Sequence, residues 1–311
     1  MKTAFCGTTD FAATLLTSLI GSDFEPWLVV TPAPSRSGRG RSLTPTPVAV
    51  LAADSGLDLI EVDSINDGSA ASALAELAPD VVIVCAFGQL IGPDLVDAHR
   101  FLNVHPSLVP RWRGAAPIER ALLSGDPETG VVVMDLTEGL DDGPVLVSER
   151  IEILPDDTYE SLSARLADTA CSVEAKTVDL IDSGIVRAEP QDDSQATYAE
   201  KIEAAERRLV PDLSAEQLER RVRALGGRLG TYLALDPEAE ARLGVVACTA
   251  YEEPPASVAD AETGEIRQVG EELFMSCSKG ALRLDEVKPA GGRSMAVADY
   301  LRGHDAPARA F

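Results

Sequence analysis

Asn103 and His105 are the residues on which a chemistry can be built. They stand two apart in the strand-like run Phe101-Leu-Asn-Val-His105, and residues two apart in a strand project from the same face. The Asn103 amide donates a hydrogen bond and is neutral at every working pH. A histidine is the side chain able to donate or exchange a proton near neutrality, and His105 brings that capacity here. Side by side, the pair can stabilise negative charge developing on a carbonyl oxygen. The simpler reading of such a histidine is a buried strand-end residue bonded to a backbone carbonyl. His99, in the polar Asp97–Arg100 run, and His304, in the C-terminal tail, read as solvated surface.

A partner carboxylate is offered by Glu138-Gly-Leu-Asp-Asp-Gly-Pro-Val145, which follows the strand-like Val131–Leu136 and so reaches the same sheet edge. Asp142-Gly143 is a turn signal. A carboxylate held there can fix a histidine tautomer or take a proton through water. Spacing alone does not choose among Asp141, Asp142, Glu138 and Asp135. Between the two stretches, Ser107, Pro110 and Gly114 make an irregular turn, and Pro117 opens a helix. No phosphate-cradling glycine loop, dinucleotide fingerprint, nucleophile elbow or zinc-helix motif is present. The five cysteines form no C-x-x-C pair, so neither a metal site nor a disulfide framework is expected.

The elements that must position these residues alternate. Strand-like Thr3–Cys6, Trp27–Thr31, Leu57–Ile60, Val81–Cys85, Phe101–His105, Val131–Leu136 and Val145–Ile151 are interleaved with helical Phe11–Ile20, Val48–Asp54, Ala70–Leu77, Pro117–Leu123 and Thr158–Asp182. Such alternation predicts an α/β domain with a mostly parallel sheet over residues 1–190, its ligands beyond the carboxyl ends of the strands. Residues 191–208 read as a polar linker. In residues 209–311, Ser214 and Gln217 make a capping box for a helix to Ala224. Short strands Tyr232–Leu235, Gly244–Tyr251, Ile266–Val269, Glu272–Ser278 and Gly280–Val287 follow, with a last helix Ala296–Arg302. That is the strand number of a small OB-like β-barrel.

The chain has 311 residues, 45% hydrophobic and 25% charged, as in soluble globular proteins. No stretch approaches the roughly 20 apolar residues of a membrane span. Met1–Gly7 reads as a first strand rather than an export signal, and an odd cysteine count fits a reducing cytoplasm. The net charge is −24, from 51 acids against 27 bases, which repels nucleic acid at long range. Three segments run against it: Arg36, Arg39 and Arg41 in one loop, Arg111 and Arg113 around Trp112, and a stretch from Arg207 and Arg208 to Arg228. A few arginines on a large protein also cluster by chance.

Asn103-Val-His105 with Ser107-Leu-Val-Pro110, then Gly139-Leu-Asp141 with Gly143, resembles the signature of the folate-dependent formyltransferases. Several further stretches are similar to the branch of that family acting on methionyl-tRNA. They are Pro110-Arg-Trp-Arg-Gly-Ala-Ala-Pro-Ile118, Gly38-Arg-Gly40, the Ser42–Pro47 run into Val48–Ala52, Thr197-Tyr-Ala-Glu-Lys201 and Lys288-Pro-Ala-Gly-Gly292. The likeness covers nearly the whole chain, in order. Thr9 departs from it, standing where the family usually has proline, and Arg223–Gly230 lacks the Pro and Trp often found there.

The resemblance implies a Rossmann-like catalytic domain and an OB-like second domain. It implies transfer of the formyl group of 10-formyltetrahydrofolate to the amine of initiator methionyl-tRNA, without a metal. Asn103, His105 and Asp141 match the family's catalytic trio, which settles the choice among the acids. In this reading Asn103 and His105 hold the oxyanion, and Asp141 orients His105 through water. Cys85, Ala86, Phe87, Gly88, Gln89, Leu90, Ser107, Leu108, Pro110, Glu138, Gly139 and Leu140 would form the folate pocket. Arg36, Arg39, Arg41, Arg207 and Arg208 would meet tRNA phosphates. The protein is expected to be a cytoplasmic monomer. The rivals are a formyltransferase acting on an amino sugar nucleotide or glycinamide ribonucleotide, a formyltetrahydrofolate hydrolase, and a non-catalytic RNA-binding protein. The Arg111-Trp-Arg113 stretch, the basic loop and the second domain speak against the first. The intact trio speaks against the last.

Overall fold

The computed structural model describes residues 1–37 and 42–311, so Arg39 and Arg41 lie outside the described residues. The chain forms two compact units, one of residues 1–117, 128–152 and 163–200, the other of 118–127, 153–162 and 201–311. The residues expected as a linker, 191–208, are thus divided between them.

The first unit is built on a seven-stranded sheet. Its strands are β1 (Thr3–Gly7), β2 (Leu28–Pro32), β3 (Leu59–Val62), β4 (Val81–Cys85), β5 (Phe101–His105), β6 (Glu128–Asp135) and β7 (Val145–Glu152). Their order is β7-β6-β5-β4-β1-β2-β3. The pairs from β3 through β5 are parallel, while β6 and β7 join antiparallel. All five residues of both β1 and β4 are buried, as continuous apolar runs in a sheet covered on both faces should be. The chain turns outward in opposite directions from β1 and β4, and that reversal opens a crevice at their carboxyl ends.

Helices α1 (Asp10–Leu19), α2 (Pro47–Ser55), α3 (Gly68–Leu77) and α4 (Pro93–Ala98) connect the parallel strands, and α5 (Pro117–Ser124) and α6 (Tyr159–Asp182) follow later in the chain. Thr9 caps α1, its hydroxyl accepting from the Ala12 amide at 3.4 Å. That bond secures the first helical turn. Thr46 caps α2 in the same way, with Pro47 in its first turn. Alternation divides the sheet. Ala4, Cys6, Val82, Val84 and Phe101 pack with Leu74 of α3 and Leu95 of α4 on one face. Two short elements fall where loops were expected: a hairpin of Ser35–Ser37 and Ser42–Thr44, and Tyr198–Ala199 paired parallel with Arg113–Gly114.

The second unit carries α7 (Ala215–Leu225) and an antiparallel sheet. Its strands are β8 (Thr231–Ala234), β9 (Arg242–Tyr251), β10 (Ile266–Val269), β11 (Glu272–Ser276) and β12 (Ala281–Pro289), with a short β13 (Met295–Ala296) on β12. The order β8-β9-β12-β11-β10 leaves β8 and β10 as edges, so the pairings form an open path rather than a closed ring. The capping box is present, with Gln217 N–H on Ser214 Oγ at 3.2 Å and Ser214 N–H on Gln217 Oε1 at 3.0 Å. Leu218 and Val222 of α7 join Leu243, Val245, Leu273, Leu282 and Leu284 of the sheet in one apolar core.

Most of the basic stretch is spent inside this unit. Arg220, Arg223 and Arg228 pair with Glu216, Glu219 and Glu119, and Arg221 donates to the Arg208 carbonyl. Arg207 and Arg208 are half-buried, each giving its Nε–H to a carbonyl, that of Gly230 at 2.9 Å and of Phe311 at 3.1 Å.

Candidate active site

β5 carries Asn103 opposite Val84 of β4 and Met134 of β6. Register places Asn103 and His105 on the face that holds Val84 and Phe101, at the carboxyl end of the parallel strands. The loop after β6 brings Asp141 to them. Asn103 Nδ2 donates to Asp141 Oδ1 at 2.8 Å, and the Gly114 amide donates to Oδ2 at 2.8 Å. Nδ1 of His105 lies 3.6 Å from the same Oδ2.

A backbone acceptor fixes the histidine tautomer. His105 Nε2 sits 3.0 Å from the Trp112 carbonyl, which can only accept, so Nε2 carries the hydrogen. Nδ1 is then the nitrogen that faces the carboxylate. His105 therefore shows both features weighed from sequence: it is a buried residue bonded to a backbone carbonyl, and it has a carboxylate partner. Its direct share in an oxyanion hole is corrected by that bond, because the Nε2–H is engaged.

Two backbone positions make the cluster possible. Asp141 has φ of +50°, in the left-handed region that non-glycine residues rarely adopt. Gly143 is required by close approach, since a Cβ there would collide with the Asp135 carbonyl oxygen.

A cavity of about 530 Å³ opens on this cluster. Ala86, Phe87, Gly88, Gln89, Leu90, Gly139 and Leu140, all expected from sequence, line it together with Asn103, His105 and Asp141. The loop after β4 holds Ala86 at φ +43° and Gly88 at +77°. It is clamped from the side: Gln89 Oε1 accepts from the Ile65 amide at 2.7 Å, and Asn66 bonds Gly92 N and Leu90 O at 2.7 and 2.9 Å. Leu90 and Leu140 remain largely exposed, 77% and 58%.

Cys85, Ser107, Leu108, Pro110 and Glu138 do not line the cavity. Cys85 follows Val84 and so points to the opposite face, where it is fully buried. Ser107 is fully buried too and donates to the Arg111 carbonyl at 2.8 Å, a turn-shaping role. Pro110 accepts from the Thr197 amide at 3.0 Å, Leu108 packs beside Gly130, and Glu138 is exposed. Sequence reasoning missed Thr9, Ile91, Gly114, Met134 and Thr137, which do line the cavity. Ile91 and Met134 were legible as apolar neighbours of the site strands. The Gly114 amide carries no side-chain signal. Among the described residues no group of three or more His, Cys, Asp or Glu is placed to hold a metal ion, and no helix is long and apolar enough to cross a membrane.

The formyl transferase family profile matches residues 1–178, and that of the formyl transferase C-terminal domain matches 201–305. The methionyl-tRNA formyltransferase of Halorhodospira halophila is 40% identical over 305 residues, 97% of this chain and 96% of its own. That of Methylococcus capsulatus is 38% identical over 307 residues, covering 98% and 97%. Among solved structures, an N-formyltransferase from Helicobacter canadensis, in complex with folinic acid and dTDP-3-aminofucose, superposes with a TM-score of 0.64 at 13% identity. It covers 95% of this chain and 100% of that one, a likeness of fold. With both profiles matched in order along nearly its full length, the chain belongs to the formyl transferase family.

Proposed function

We propose that the chain transfers the formyl group of 10-formyltetrahydrofolate to the α-amine of methionyl initiator tRNA, at the start of bacterial translation. The observation that carries this reading is the Asn103–His105–Asp141 cluster on its cavity, in a chain whose full-length relatives are methionyl-tRNA formyltransferases. The cavity suits the donor in size, within the roughly 300–1,000 Å³ of small-molecule sites. The main chain of Ala86–Leu90 and Gly139–Leu140 offers polar groups to the amide-like edge of a pterin, with Leu90 and Leu140 for its apolar parts.

In the reaction the amine nitrogen forms a bond to the formyl carbon, the bond from that carbon to the folate nitrogen breaks, and a proton passes from the first nitrogen to the second. Asn103 has one amide hydrogen on Asp141 and a second with which to hold the formyl oxygen as charge builds on it. A donor of this kind contributes about 10²–10³ in rate. His105 keeps its Nε2–H on the Trp112 carbonyl, so proton exchange runs through Nδ1 to Asp141. The pair takes the proton from the attacking amine and returns it to the leaving nitrogen. No metal enters this reading, because the formyl donor is already activated.

Arg36, Arg39, Arg41, Arg207 and Arg208 are the proposed contacts to tRNA phosphates. So few cations on a chain of net charge −24 imply a shallow dependence of binding on salt. A monomer in a reducing cytoplasm completes the proposal, supported in compartment by five free thiols.

The test is transfer of labelled formyl from 10-formyltetrahydrofolate. Initiator methionyl-tRNA should be formylated, while uncharged initiator and elongator methionyl-tRNA should not. Folate-dependent turnover with an amino sugar nucleotide or with water, and none with tRNA, would move the function to a rival of the same catalytic domain.

A further inference from the structure

Residues 179–200 fall between the two matched family profiles, yet this stretch is bonded to both loops of the site. Glu189 exchanges two backbone hydrogen bonds with Val145, each 2.8 Å. Thr197 accepts from the Arg113 amide through its carbonyl and from the Trp112 amide through Oγ1. The Gln191 side chain reaches Asp141. Its Nε2 donates to the Asp141 carbonyl at 2.9 Å and to the Gly143 carbonyl at 2.7 Å.

The orientation of that amide is determined by what surrounds it. Arg113, only 3% exposed, donates to Gln191 Oε1 from Nε at 3.0 Å and from Nη2 at 2.8 Å. A guanidinium has no acceptor and a carbonyl has no donor, so the flipped amide would set donors against donors and acceptors against acceptors. Arg113 thus aims the Gln191 NH₂ at the turn that carries Asp141. The bonds that Asn103 and Gly114 make go to the Asp141 carboxylate, so their strength depends on its charge. The bond from Gln191 is made to the backbone and does not depend on the state of the carboxylate.

We propose that Gln191 is a positioning residue for formyl transfer, holding Asp141 in its left-handed conformation with its carboxylate facing His105, and that Arg113 orients Gln191 for this task. The inference rests on the reading of Asp141 as a member of the catalytic cluster.

The test is a double-substitution cycle in the full-length protein. Gln191→Glu keeps the length and the Arg113 partner but puts acceptors against the two carbonyls. It should remain folded by thermal melting, lower kcat for formyl transfer at least tenfold and change the folate KM less than threefold. Gln191→Met, of similar length with no hydrogen-bonding amide, should show the same split and serves if the first variant fails to fold. In an Asp141→Asn background, either substitution should cost no more than twofold further. A kcat within twofold of the parent, or an equal fold loss in both backgrounds, overturns the positioning role while leaving the site intact. Asp141→Asn at nearly full rate would instead overturn the reading of the site, and this inference with it.

Discussion

Asp141 and Glu174 are two carboxyl groups of one unit kept from water under opposite terms. Asp141 lies on the cavity side, 13% exposed at its side chain, with an N–H donating to each oxygen and an imidazole alongside. Glu174, from the helix Tyr159–Asp182, is 1% exposed, and among the described residues neither oxygen has a hydrogen-bond partner. Its neighbours are the thiols of Cys85 and Cys171 and the carboxyl of Asp179. Burial first, and Asp179 second, push Glu174 up to about 7. The comparison teaches that burial alone does not make a catalytic carboxylate. Asp141 is equipped to hold charge and trade a proton because donors were brought to it from β5 and from the turn that follows it, whereas Glu174 is merely costly to ionise.

The strongest way to break the comparison is Asp141→Asn. The amide must turn a donor toward Asn103 or Gly114, both already donors, and it takes no proton from His105. Formyl transfer should fall by about 10³-fold, within the range expected for a general acid–base group. Rates at saturating donor check this; a loss under tenfold would mean that Asp141 carries no proton.

The next effect is on stability. The unfolded chain releases the Glu174 proton near its ordinary value of 4.5, while the native chain keeps it to about pH 7. Between those values the native state binds more protons, so this group's contribution to stability is full below pH 4.5, declines as pH rises to about 7, and is flat above. The loss is on the order of 3 kcal/mol, at about 1.4 kcal/mol per pH unit. Glu174→Gln removes the titration. Relative to the parent it should therefore gain about 3 kcal/mol between pH 4.5 and pH 8, read from urea midpoints at both pH values. An unchanged difference between parent and variant would show that Glu174 finds a partner in solution.

How far the sequence reaches follows the same division. β4 and β5 have the bounds expected of them, because continuous and alternating apolar runs are local signals. Helix α4 carries no legible period: its six residues, Pro93–Ala98 behind Gly92, are too few to show one. The period-two rule that put Asn103 with His105 also turns Cys85 away from the cavity, a step that needed β4 and β5 in register. Asp141 could not be chosen from spacing, since a positive φ and the amide of a residue 27 positions earlier decide its place. Residues 191–199 read as linker because their order comes from bonds to Pro110–Ala116 and the Asp141 turn, not from their own pattern.

The smallest effect sharpens the comparison most, because it reads the charge of Glu174 from outside. Cys171 is partly exposed, and its thiol is held up chiefly by burial, with the charges of Asp168 and Glu174 adding to it. In Glu174→Gln the thiolate fraction should rise wherever the parent carboxyl is ionised. Alkylation of Cys171 by a neutral reagent at pH 8.5, followed peptide by peptide, should then be about two- to fivefold faster than in the parent. At pH 6 the parent carboxyl holds its proton, and the two rates should agree. Fully buried Cys85 should stay unlabelled in both and marks the native state. A rate ratio that climbs through pH 7 would trace the titration of Glu174 itself. A ratio above one and flat across that range would mean that the substitution had loosened the helix rather than removed a charge.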